Sequence, residues 1–209
     1  SYASTLAGDT AVTELTSAVD LAGGSASCYA LRATGSGEVD NGDLTIHSGG
    51  LIMGGAYNTW TADIYFGPGG NGNAYIHLDG HENYTKRLQF RGSLNCQDLV
   101  KFGGRDGLYL EAANNIAGIV DLQKGGLYLS HPDAVGADTD VKMGLDTTLK
   151  LNADTNNIGG LNGALSTASI YSVSSNDQEL VLHPADGTTH TFNGSITDGT
   201  SGGRVSLNV

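Results

Sequence analysis

Basic residues are scarce in this chain. Its 209 residues include 10 Lys and Arg against 22 Asp and Glu, a formal net charge of −12. Phosphate binding needs clustered cations, so nucleic acid is not expected as a partner. The acidic excess suits a solubilising surface and can attract divalent cations. Charged residues of both signs reach only 15%, below the roughly 25% of ordinary domains. The strong helix formers Glu, Lys, Arg and Met are few, which argues against a helical fold. No apolar run approaches the roughly 20 residues that span a bilayer, so no membrane insertion is expected. No basic segment with an apolar core opens the sequence, and a secretion signal is expected to have been removed already. Motifs of metal and redox chemistry are missing as well: there is no HExxH, no paired-Cys motif and no Gly-Gly-Xaa-Gly-Xaa-Asp calcium repeat.

What is present is glycine, 32 residues of it, and a hydrophobic fraction of 39%. The apolar residues come in short words with alternating character, for example Leu44-Thr45-Ile46, Ile64-Tyr65-Phe66, Ile119-Val120-Asp121-Leu122 and Leu149-Lys150-Leu151. Alternation at period two is the pattern of a strand with one buried face. Turn clusters rich in Gly, Asn, Asp and Ser follow each word, about 8–13 residues from one to the next, so the fold reads as all-β.

The word Gly-Leu-Tyr-Leu occurs twice, at 107–110 and 126–129. An antiparallel sandwich would want longer strands and hairpin turns. Short words in constant register with a following Gly or Asn fit a solenoid better, with coils stacked about 4.8 Å apart and Gly at the bends. We expect a right-handed parallel β-solenoid, a single elongated domain of about 6–9 coils of roughly 20–35 residues each. The two Gly-Leu-Tyr-Leu words are expected on different parts of stacked coils, their Leu residues turned inward and Tyr109 and Tyr128 outward. Residues 1–40 read as an irregular N-terminal cap or subunit-joining strand, with a short helix around Asp9–Ala18, and residues 41–209 as the repeat domain.

The order of words resembles a known family, the autotransporter-associated β-strand repeat of secreted bacterial passenger proteins. "GLYLEAANNIAGIVDLQKGGLYLSHPDAVGA" follows the course of that repeat, and so do "LKLNADTNNIGGLNG" and "HTFNGSITDGTSGG" further on. "GDLTIHSGGLIMGG" resembles the segment that often precedes such a unit. The resemblance covers about residues 40–209, although "KFGGRDG" stands where the family carries Lys-Thr-Gly-Xaa-Gly. It implies a right-handed parallel β-helix that is exported and surface-exposed.

Candidate chemistry is thin, and no catalytic, cofactor-binding or metal-binding residue is expected. The richest polar stretch, "HLDGHENYTKR", holds His77, Asp79, His81, Glu82, Lys86 and Arg87. Such residues can hold a metal or form an acid/base pair, while Asp79-Gly80 is also an ordinary turn. Asp133, Asp138, Asp140, Asp146 and Asp154 lie in oxygen-rich bends able to take a structural Ca²⁺. Trp60 and Tyr57, with Tyr65 and Tyr75, read either as a sugar-stacking strip or as packing. Asn83 and Asn193 match the short glycosylation acceptor pattern, which is frequent by chance. Cys28 and Cys96 would stand about 10–14 Å apart in a regular stack, beyond the roughly 7 Å that a disulfide tolerates. They are therefore expected buried and free, unless the N-terminal segment folds back or Cys28 bonds another chain.

No amphipathic capping helix is legible at either end, and uncapped solenoid ends invite strand addition. The leading expectation is a non-enzymatic structural subunit of an extracellular fibre, self-assembling head to tail as a homopolymer. The alternatives are an adhesin module presented to glycans or cell surfaces, a polysaccharide-cleaving β-helix enzyme, and a phage fibre segment that would trimerise laterally.

Overall fold

The computed structural model describes residues 6, 8–54, 57–79, 87–104 and 107–209. Short alternating words become short strands, and the strands wind through three faces about 8 times. The chain begins with β1 (Gly8–Leu15) and β2 (Val19–Asp20), then β3 (Ser25–Ala33) and β4 (Val39–Asp40). Next come β5 (Asp43–Ile46), β6 (Gly50–Met53) and β7 (Tyr57–Trp60), then β8 (Asp63–Phe66), β9 (Ala74–Leu78) and β10 (Arg87–Phe90). The middle holds β11 (Leu94–Cys96), β12 (Leu99–Phe102), β13 (Gly107–Leu110), β14 (Asn115–Ile116), β15 (Ile119–Leu122) and β16 (Gly125–Leu129). Above them lie β17 (Asp140–Met143), β18 (Thr147–Leu151), β19 (Thr155–Ile158), β20 (Leu161–Asn162) and β21 (Ser169–Ser172). The last are β22 (Gln178–Leu182), β23 (Ser195–Thr197) and β24 (Val205–Asn208).

Every pairing between these strands is parallel, as stacking of successive coils requires. Face one runs β5, β8, β11, β14 and, through a bridge from Gly136 to Ile158, β19, β22 and β24. Face two runs β1, β6, β9, β12, β15, β17 and β20. β3 turns the corner between the two, its first half pairing β5 and its second half β6. Face three is a 7-stranded sheet from β7 to β23, with the β2–β4 pair below it. One coil takes from 18 residues, between paired Ser25 and Asp43, to 30, between paired Tyr57 and Arg87.

Two expectations need correction. Residues 9–18 do not form a helix: Gly8–Leu15 is strand β1, because Thr13 and Leu15 alternate inward and are buried. Nor are residues 8–40 irregular, since β1 to β4 pair in parallel like the coils above them, while residues 1–5 and 7 lie outside the described residues. Its small Ala and Ser residues fill inward and outward positions without making the words conspicuous.

The core is a set of apolar columns. Leu88, Leu108, Leu127, Leu149 and Ile170 stand directly above one another on face three, all fully buried. Phe90, Leu110, Leu129 and Leu151 form the column beside it. Burying such a side chain contributes roughly 1.5–3 kcal/mol. Lys101 takes an inward position on face two, between Ile76 and Leu122, and its ammonium turns to donate to the carbonyls of Gly103 and Lys124 at 3.1 and 2.6 Å. Cys28, Ile46 and Phe66 share a column on face one, and Cys96 continues it one coil above Phe66. Three coil steps separate the cysteines, about 14 Å. Both are free and buried, and burial pushes each thiol up to about 12.

The doubled word has a sharper reading here than in the sequence. Gly107 pairs with Gly126, Leu108 with Leu127, Tyr109 with Tyr128 and Leu110 with Leu129. The two copies are thus the same part of consecutive coils, stacked in register on face three, and not different parts. Nineteen residues is one full coil.

Candidate functional site

The most organised outer surface is that of face three. Each strand there turns two side chains outward, in two files that run along the stack. One file passes through Arg87, Gly107, Gly126 and Thr148, the other through Gln89, Tyr109, Tyr128, Lys150 and Tyr171. Glycine in the first file makes room for the rings of the second. A Cβ on Gly107 would lie 2.4 Å from Cε2 of Tyr128 and 2.7 Å from that of Tyr109, closer than any real contact.

In that room the rings of Tyr109 and Tyr128 stack at 3.7 Å between centroids, 13° from parallel. Arg87 lies over Tyr109 at 4.4 Å, and Lys150 lies over Tyr128 at 4.3 Å and within 5.6 Å of Tyr171. Cations over ring faces are attracted by the π quadrupole. The Lys150 ammonium also donates to the Tyr128 hydroxyl. Burial and the hydrogen bond with Tyr128 push the Tyr109 hydroxyl above its ordinary range, against the pull of Arg87 and Lys150. Above the pair, a groove of about 390 Å³ is lined by Gly125, Asp146, Thr148, Lys150, Thr167 and Tyr171.

Charge is segregated between the faces. The seven strands from β7 to β23 contain no Asp or Glu, while the strands of faces one and two carry Asp9, Glu14, Asp43, Asp63, Asp121, Asp140 and Glu179. Acids do border face three. Glu111 takes hydrogen bonds from Gln89 and, at 3.0 Å, from Nε of Arg91, and Asp40 lies in β4 below it.

The residues picked out in the sequence are not brought together. His77 faces outward on β9 with its ring stacked on Phe102 at 5.0 Å, whereas Arg87 belongs to face three. Asp79 follows β9 and bonds through its backbone to Met53. His81, Glu82, Lys86 and Asn83 lie outside the described residues. Among the described residues no three His, Cys, Asp or Glu side chains gather as a metal site would require. Of the five aspartates expected in bends, Asp140 instead opens strand β17, where the ladder with β15 takes it, and pairs with His190 at 3.7 Å; Asp133 accepts from Asn157 at 3.2 Å and Asp146 lines the groove. Asn193 is exposed and donates to the carbonyl of Ala164.

A sugar-stacking strip of Trp60, Tyr57, Tyr65 and Tyr75 does not form. Trp60 is wholly buried, edge-on to Phe90 at 5.7 Å, with its Nε1 donating to the carbonyl of Gly37 at 3.1 Å. Tyr57, Tyr65 and Tyr75 stand on faces three, one and two respectively. The file that does form, Tyr109–Tyr128–Lys150–Tyr171, was missed as a unit because its members are one coil apart. The repeated Gly-Leu-Tyr-Leu was its only local signal.

The two ends of the stack differ. In the first coil Thr13 and Leu15 are buried. In the last, Leu207 occupies the inward column above Leu180, yet it is 50% exposed while Leu180 is 0%. β23 and β24 each pair with one strand only, below them, and β1 and β2 each with one strand only, above them, among the described residues.

Comparison with protein-family models, curated proteins and solved structures finds no match for this chain.

Proposed function

We propose that the chain is a structural module of an extracellular fibre, whose copies stack end to end by strand addition. In such a stack β1 and β2 of one copy would follow on the columns of β23 and β24 of another. The observation that carries this reading is the stacking itself: every strand pairing is parallel, and each coil buries its apolar residues against the coils on either side. Coils of a second copy stacked on the same columns would extend them, and a head-to-tail contact of this kind generates an open filament. The side-chain network supports the same reading, since its bonds run from coil to coil along the axis. Ser27 and His47 both reach Asp9, Arg32 reaches Glu14, Lys142 reaches Asp121 and Asn152 reaches Ser130. The extracellular part of the proposal rests on the resemblance of residues 40–209 to passenger repeats.

Negative-stain electron microscopy of the purified chain over a range of concentrations and salt tests the proposal. Filaments one solenoid wide are expected, and single particles under every condition would overturn it.

A further inference from the structure

We infer that the outer surface of face three is a docking site for an anionic polysaccharide, lying along the stacking axis. Four observations meet there. The molecule carries a net charge of −12, yet the seven strands of this sheet hold two cations, Arg87 and Lys150, and no acid. These cations are three coils apart, about 14 Å along the axis. Between them Gly107 and Gly126 let the rings of Tyr109 and Tyr128 lie down along the sheet, joining the two cations through a stacked pair. At the Lys150 end the groove of about 390 Å³ falls within the roughly 300–1,000 Å³ of small-ligand sites.

The side chains select among acidic polymers. Nucleic acid wants free ring faces for its bases and many cations for its phosphates. Here the faces of Tyr109 and Tyr128 are taken by each other, by Arg87 and by Lys150. What lines the groove beside them is hydroxyls, from Tyr171, Thr148 and Thr167. A glycan chain answers both features, pairing its carboxylates or sulfates with the cations and its hydroxyls with these groups. Asp146, which also lines the groove, can accept from sugar hydroxyls. A protein partner would look for exposed apolar anchors, and of the large apolar side chains that are exposed only Tyr57 belongs to this sheet. The site is independent of end-to-end stacking.

The test is binding of polygalacturonate and of heparin to the purified chain, with dextran and single-stranded DNA as further arms. Both charged glycans should bind, more weakly as salt is added, and dextran should not. Arg87→Gln and Lys150→Gln should each weaken binding about tenfold, with unchanged circular dichroism, while Lys142→Gln on face two should leave it as it is. Glycans that fail to saturate, or the two variants binding like the parent chain, would overturn the inference. DNA bound as tightly as the glycans would overturn its sugar component. Lateral self-association lost in the same variants, without glycan binding, would replace the polysaccharide by a second copy.

Discussion

Leu127 and Leu207 are the same residue type in the same kind of position, on the inward side of a short parallel strand. Leu127 has Leu108 below and Leu149 above, and no solvent reaches it. Leu207 has Leu180 below, and half its surface is open. The strands are alike in length and alternation. What differs is the neighbour. In this fold a coil has no core of its own, and each buries its apolar residues against the coils on either side. Stability is therefore greatest where a coil is covered on both sides.

The largest expected effect follows from that contrast. Leu127→Ala should cost about 3 kcal/mol in urea unfolding, since it opens a void between two fixed layers. Leu207→Ala in isolated copies should cost less than about 1 kcal/mol, because much of that side chain is already in water. Equal losses at the two positions would break the comparison.

A second contrast lies on the outer surface of the same coils. Gly107→Ala places a methyl against two tyrosine rings, and should cost about 1–3 kcal/mol by overpacking. The loss should shrink when Tyr128→Ala is made in the same chain, a coupling that a double-mutant cycle measures directly. Additive effects would mean that the glycine is not there for the ring.

The last effect is confined to alkaline pH and concerns the thiols. Cys28 and Cys96 are held to about 12 by burial, while an unfolded thiol ionises near 8.5. A raised folded value means that the stabilisation is complete below the unfolded pKa and drains away as pH rises towards the folded one. Stability should therefore fall with pH above about 9, and Cys28→Ala with Cys96→Ala should flatten that slope in pH-dependent urea melts. A slope unchanged in the double variant would contradict burial of the thiols.

Much of the fold was legible in the sequence because period-two alternation and Gly-rich bends are local signals. The inward turn of Leu108 and Leu110, the outward turn of Tyr109 and the separation of the two cysteines all follow from it. What was hidden depends on register. Trp60 and Tyr57 read alike in the sequence, as a strip or as packing, but an offset of three residues in one strand places the two side chains on opposite faces and only Trp60 packs inward. The early coils were hidden too, because Ala, Ser and Thr serve in them where Leu and Ile serve later. The tyrosine–cation file and the acid-free sheet join residues from different coils, and only the stacked structure places them side by side.

End-to-end stacking is tested most directly by sedimentation velocity of the parent chain and of Leu207→Asp across a concentration series. The parent chain should grow into polydisperse assemblies as concentration rises, while the variant, with a charge set into the open column, should remain a single slow boundary. A parent chain that sediments as a monomer throughout, or a variant that assembles as readily as the parent, would contradict the account.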